Sequence, residues 1–206
     1  MDLNLVLAVT FGCLFMAGMV WLTVRLIKRA TSIYEPMDEP LAALGFAVTS
    51  TGGLGRRYAG AWQGRDVTLT FRPRHKVASK FDLSMRSSHK LGLSLGAGRP
   101  LLTPGRWKRL EGPFHGLAAY KVYGSDPAQA AALLRGHGAA LALDLLAKDH
   151  EEHVQPRELY VRPGEVLLRR VPRGSGGWYH LGVIEPDELR GWLDAMHGLA
   201  TLAEGL

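Results

Sequence analysis

Val67-Thr-Leu-Thr-Phe71 and Phe81-Asp-Leu-Ser-Met-Arg86 decide the fold, because in both an apolar residue alternates with a polar one at every step. A period of two puts Val67, Leu69 and Phe71 on one face of a strand and Thr68 and Thr70 on the other, and it does the same for Phe81, Leu83 and Met85. Each strand then has one buried and one wet face, as antiparallel strands do. Leu91, Leu93 and Leu95 alternate with Gly92 and Ser94 in the same way, and Tyr120 to Tyr123 reads as a further strand. Tyr58 to Trp62 and Val67 to Phe71, joined through Gln63-Gly64-Arg65-Asp66, form a hairpin.

Helices follow. Asp126-Pro127 is a helix start, since Asp caps free backbone N–H groups and Pro at the first position gives up no bond the helix uses. The Ala- and Leu-rich stretch from Ala128 to Lys148 is helical, kinked or split at Gly136-His137-Gly138. Arg157 to Val171 reads as a hairpin turning at Pro163-Gly164, which suits a type II turn, and Trp178 to Ile184 as another strand. Glu185-Pro186-Asp187-Glu188 opens a last helix that buries Leu189, Trp192, Leu193, Met196, Ala200 and Ala203 at helical spacing. The order predicts an α+β domain, a mainly antiparallel sheet covered by two or three helices.

Working towards the N-terminus, Pro40-Leu-Ala-Ala-Leu-Gly45 reads as one helical turn. Residues 31–39, with Pro36 and Pro40 at the margin, read as a short tether that breaks any preceding helix. Before it, Leu3 to Val24 is an unbroken apolar run, about 33 Å long as a helix against a hydrocarbon core of about 30 Å. The expected organisation is a transmembrane anchor with a basic flank over 1–30, a tether over 31–39 and one soluble domain over 40–206. Arg25, Lys28 and Arg29 follow the run and only Met1 and Asp2 precede it. The positive-inside bias therefore predicts a single pass through the inner (cytoplasmic) membrane, N-terminus out and domain in the cytoplasm. An exported domain behind an uncleaved anchor is the competing orientation. Cys13, the single cysteine, excludes a disulfide within the chain.

The net charge of +6 is unevenly spread. Between Gly52 and Leu110 thirteen Lys and Arg face Asp66 and Asp82, an excess of eleven, whereas from Val122 onward eight basic residues meet twelve acidic ones. Arg56, Arg57, Arg72, Arg74, Lys76 and Lys80 are the expected anionic-surface-binding residues, with anionic lipid headgroups and a membrane protein as the expected partners. Trp62, Trp107 and Tyr58 lie in the same half, but no RNP-like or GXXG pattern accompanies them, which argues against nucleic acid.

Three fragments approach catalytic motifs. Gly92-Leu-Ser94-Leu-Gly96 has the G-x-S-x-G spacing, but it runs through a strand instead of a strand-to-helix elbow, so Ser94 reads as a wet-face strand residue. His150-Glu-Glu-His153 is one residue short of H-E-x-x-H and has no third ligand. Thr51-Gly-Gly-Leu-Gly-Arg-Arg57 lacks the helix that a phosphate-binding loop feeds. No motif implies a cofactor or a metal. Ser94 and the His150/His153 pair remain the entry points for the competing reading of a membrane-tethered, hydrolase-like enzyme, and the basic half for that of a nucleic-acid module.

The element order, with Gln63-Gly64-Arg65 and Ser125-Asp126-Pro127 as its most specific pieces, resembles uncharacterised bacterial single-pass membrane-anchored proteins. That resemblance implies an anchor and a folded domain, and no activity. The sequence thus predicts a non-catalytic interaction or assembly module at a membrane surface.

Overall fold

The computed structural model describes residues 3–32, 34–50, 55–74, 77–112, 114, 116–146, 157–170 and 184–206. Nine described strands form a single sheet: β1 (Ala47–Ser50), β2 (Arg56–Trp62), β3 (Arg65–Arg74), β4 (Val77–Arg86), β5 (Leu93–Gly96), β6 (Lys108–Leu110), β7 (Lys121–Gly124), β8 (Glu158–Arg162) and β9 (Glu165–Arg170). Their order is β1-β2-β3-β4-β9-β8-β5-β7-β6, and every neighbouring pair is antiparallel. The expected α+β class with an antiparallel sheet is what the chain adopts.

Register explains the core. Tyr58, Leu69, Leu83, Leu168, Leu159, Leu95 and Val122 stand opposite one another in successive strands, and all seven are buried. This row and its neighbours two residues away make one apolar face. Helices α2 (Glu35–Ala43), α3 (Pro127–Leu133), α4 (His137–Leu146) and α5 (Pro186–Glu204) cover it and share one core cluster with it. The Pro163-Gly164 turn is the expected one, while the first hairpin turns through Gln63 and Gly64 alone, Arg65 and Asp66 already belonging to β3. Gln63 and Gly64 take φ of 47° and 80°, the left-handed pair of a type I′ hairpin turn, and Gly164 after Pro163 takes 88°.

The Asp126 carboxylate accepts from the backbone N–H groups of Ala128 (2.9 Å) and Gln129 (3.2 Å), as its capping role requires. The helix then breaks where the glycines predict, and the break depends on Gly138. A Cβ there would lie 1.8 Å from the Leu133 carbonyl oxygen.

α5 crosses the apolar face and buries all six residues assigned to it from their spacing. Trp192 stacks on Phe81 of β4, ring centroids 5.7 Å apart and planes 16° from parallel. The guanidinium of Arg157 lies 4.5 Å above the indole. Arg157 is 1% exposed and donates to the Leu145 carbonyl (3.1 Å) and to Glu188 (3.3 Å). The indole is thus held between an apolar ring and a buried cation, an arrangement favourable where water is excluded.

The N-terminal region departs from expectation. α1 runs over Leu3–Ser32, and the proposed tether is occupied by α2, with Pro36 in its first turn and Pro40 inside it. Proline disfavours this, but Tyr34, Met37, Leu41 and Leu44 lie on one side and enter the core. Their burial outweighs the single backbone bond lost at Pro40 inside the helix, Pro36 in the first turn giving up none. The core therefore begins at Tyr34, ahead of the expected boundary at Pro40. Among the described residues no helix is long and apolar enough to cross a membrane. Phe11, Leu14, Phe15, Met16, Met19, Val20, Trp21 and Leu22 of α1 are nevertheless all exposed. The strand expected over Trp178 to Ile184 lies, except for the buried Ile184, outside the described residues.

Trp192→Ala should lower unfolding free energy by about 3–5 kcal/mol, by the cavity left beside Phe81 and the loss of cover over Arg157. Chemical denaturation measures this. A loss below about 1 kcal/mol would mean α5 is not held through this ring.

Candidate functional site

The cations singled out in the sequence part company in three dimensions. Arg56 lies on the core-facing side at the sheet margin, pairs with Asp38 of α2 and stacks over the Tyr58 ring at 5.9 Å. The Tyr58 hydroxyl donates to the same carboxylate at 2.7 Å. Burial, then the Asp38 hydrogen bond, raises the pKa of that phenol. Arg56 is thus a structural cation that holds α2 to β2, and the expectation that it is free for an anionic surface is corrected.

Arg57 and Arg72, by contrast, are exposed on the opposite face of the sheet. Arg57 stands opposite Thr70, and Arg72 opposite Lys80. Arg74 stands opposite Val77 beyond a bulge, and Lys76 lies outside the described residues. Register therefore gathers Arg57, Arg72 and Lys80 at one end of β2, β3 and β4. Neither Arg57 nor Arg72 has a carboxylate partner among the described residues.

The chain enters the domain at that same end. The Tyr34 ring lies 5.6 Å from Phe71, the residue before Arg72, and the Tyr34 carbonyl accepts from the Tyr58 hydroxyl at 3.3 Å. α1 ends at Ser32, two residues before Tyr34, and its principal contact with the rest of the chain is α2. The exposed cations and the exit of α1 thus lie at the same end of β2 and β3, on opposite faces of the sheet. Nothing in the sequence beyond the spacing of Tyr34, Met37 and Leu41 could have shown this.

Towards the middle of the same face the polar residues satisfy one another. Asp82 receives Arg169 through Nε (2.7 Å) and one terminal nitrogen (3.1 Å), so Arg169 is unavailable to a ligand. Glu165 accepts from Ser84 (2.7 Å) and pairs with Arg162. Residues 97–107 fold over β5 and β8. The Leu101 N–H donates to Glu158 (3.0 Å), and the Leu102 N–H to the Tyr160 hydroxyl (3.0 Å), which itself donates to Glu158 (2.6 Å). Burial, then the bond to Glu158, raises the Tyr160 pKa.

Ser94 lies beneath this loop, wholly buried, with Oγ 2.7 Å from Thr103 Oγ1. It is therefore not the wet strand residue its alternation implies, and it sits mid-strand with no histidine bonded to it. His150 and His153, like residues 51–54 of the glycine-rich loop, lie outside the described residues. Among the described residues no group of three or more His, Cys, Asp or Glu is placed to hold a metal.

At the far end of β2 and β3, Glu204 of α5 closes the domain. It accepts from Arg65 through both oxygens (2.7 and 2.6 Å), from Ser87 Oγ (2.8 Å) and from the Ser88 N–H (2.8 Å). These bonds, Arg65 first, hold its carboxyl well below the usual range. His89 is buried beside it, with neither ring nitrogen hydrogen-bonded, and burial lowers its pKa.

No protein-family model and no curated protein matches the chain. Among solved structures it is similar to the crystal structure of the mycobacterial trehalose monomycolate transport factor A, with a TM-score of 0.54 and 10% identity, over 84% of this chain and 96% of that one. At that identity the likeness is one of fold.

Two pH effects follow from the closure around Glu204. A depressed histidine pKa makes His89's contribution complete above about pH 6.5 and lost as pH falls below it, since the unfolded chain takes up the proton first. The depressed Glu204 pKa adds a second loss below about pH 4.5. Melting temperature should therefore fall between pH 7 and 5.5, and His89→Leu should flatten that limb while leaving the one below pH 4.5. A parent melting temperature that is level from pH 7 to 5.5 would contradict the His89 assignment.

Proposed function

We propose that this chain is a single-pass membrane protein whose domain is a non-catalytic interaction or assembly module. In this reading its basic sheet end, Arg57 and Arg72 with Lys80, is held against anionic headgroups. The observation that carries the proposal is that those cations stand at the end of the sheet where the chain enters from α1. A thirty-residue helix is about 45 Å long. Its exposed residues 14–16 and 19–22 circle the whole helix, a pattern met where a helix is enclosed by apolar surroundings. So large an exposed apolar surface needs a cover, and α1 meets the rest of the chain only at α2 among its principal contacts.

Details of α1 suit lipid. The Thr23 hydroxyl donates to the Met19 carbonyl at 2.8 Å, so its proton is satisfied within the helix. Trp21 carries Arg25 over its ring at 5.1 Å, an aromatic and a cation of the kind found at the interface. Arg25, Lys28 and Arg29 after the apolar run favour the cytoplasmic side for the domain. Lys or Arg near an anionic surface contributes about 1 kcal/mol, screened over a Debye length of about 8 Å. The cations closest to the anchor gain most. The shared fold with a protein titled a transport factor is compatible with an accessory role at a membrane, and in this reading the partner is a membrane protein bound by the same domain.

Two measurements test the reading. The domain from Tyr34 onward should float with vesicles containing phosphatidylglycerol and should separate from them near 1 M salt. Arg57→Glu with Arg72→Glu should lower binding at least tenfold, while Arg86→Glu, 77% exposed at the other end of β4, should change it less than twofold. Equal binding to neutral vesicles, or equal loss in both variants, would contradict it. In cells, a cytosolic fluorescent reporter fused after Leu206 should be bright and an export-dependent phosphatase silent. The reverse would place the domain across the membrane.

A further inference from the structure

The other end of the sheet carries a second basic cluster. β6 is an edge strand, paired with β7 on one side only. Register sets Arg109 opposite Tyr123, while Lys121 lies on the same face two residues before it, opposite Gly96. The guanidinium of Arg99 sits over the Tyr123 ring at 5.4 Å and donates to the Pro104 carbonyl at 3.4 Å. Lys108, by alternation, belongs to the opposite face. All four cations are exposed, and none has a carboxylate partner among the described residues. The acids nearest in sequence are Glu111, beyond the end of β6, and Asp126, whose carboxylate caps α3.

β1, the other described edge, reads Ala47-Val-Thr-Ser50 and has no charge at all. The β6 margin thus combines a strand edge unpaired among the described residues with cations on both faces. It lies five to six strand spacings from Arg72, roughly 24–29 Å at about 4.8 Å each, beyond the reach of one screened field on the other.

We propose that the free edge of β6 binds an extended acidic segment of a partner protein, which adds beside β6 as a further strand. The backbone edge supplies the register. Carboxylates on one side of the incoming strand meet Arg109, Lys121 and Arg99, and those on the other meet Lys108. Arg99, placed over the Tyr123 ring and bonded to the Pro104 carbonyl, offers its remaining nitrogens to a carboxylate at little entropic cost. A charged edge also discourages unwanted pairing between copies of the chain, and that simpler role predicts no ligand.

The test uses the full chain in neutral detergent and a fluorescent peptide of four Glu-Val repeats, followed by anisotropy at low and at 0.5 M salt. The peptide should bind at low salt. Arg109→Glu with Lys121→Glu should weaken it at least tenfold, and Arg57→Glu with Arg72→Glu less than twofold. A peptide N-methylated at alternate residues, in the register that blocks strand pairing, should lose binding although its charge is unchanged. Four Lys-Val repeats should bind the Arg109→Glu, Lys121→Glu chain better than the parent, which also checks that this variant is folded. Absence of binding, undiminished binding of both N-methylated registers, or indifference to the β6–β7 reversal would overturn the proposal. So would loss of phosphatidylglycerol-vesicle binding in that variant with peptide binding intact, which would give the cluster to lipid.

Discussion

Nine antiparallel strands present one continuous apolar face, and covering that face governs the rest of the domain. Seven residues in register from Tyr58 to Val122 form its central row, and each is buried. A sheet with one such face can be satisfied only by collecting its helices on one side. α5 packs on β4, β8 and β9, and Trp192 keys it in place between Phe81 and the Arg157 guanidinium. Glu204 then latches its end to Arg65, Ser87 and Ser88 across more than a hundred residues of sequence. The buried Arg157 makes the Trp192 site costly to disturb, since removing the ring exposes a charge that has already lost its water.

Polarity on the other face follows from the same division. In the middle of the sheet Asp82, Arg169, Glu158, Tyr160, Ser84 and Glu165 satisfy one another beneath or beside residues 97–107. At the two ends the cations lack acidic partners among the described residues, Arg57 and Arg72 at the end of the sheet where the chain enters, and Arg99, Arg109 and Lys121 around Tyr123. Of the thirteen basic residues between Gly52 and Leu110, Arg56, Arg65 and Arg86 are paired with acids, whereas Arg57 and Arg72 lie at one end of the sheet and Arg99, Lys108 and Arg109 at the other.

Alternation and turn chemistry were legible because both are local. Strands β3 and β4, the Gln63-Gly64 and Pro163-Gly164 turns, the Asp126 cap and the buried stripe of α5 could all be read from neighbouring residues. α2 was obscured by Pro36 and Pro40, whose local cost is real but is outweighed by Tyr34, Met37 and Leu41 entering a core made elsewhere. The pairing of Arg56 with Asp38 depends on α2 docking, and the burial of Ser94 on a loop that folds back over its own strand. Neither has a signal in spacing. The insertion of β9 and β8 between β4 and β5 was hidden for the same reason, since strands joined by short turns said nothing of where the later hairpin would dock.

The central claim is that the Arg57 and Arg72 end of the sheet faces the bilayer while the Gln63-Gly64 end points away. Thr70 and Asp66 lie on one face of one strand, four residues and about 13 Å apart. With Cys13 replaced by Ala, a nitroxide at either position in the full chain, reconstituted in phosphatidylglycerol nanodiscs, reports its distance from a headgroup-bound paramagnetic ion. The account predicts clearly stronger relaxation at position 70 than at 66. Equal relaxation at both, or stronger relaxation at 66, would contradict it.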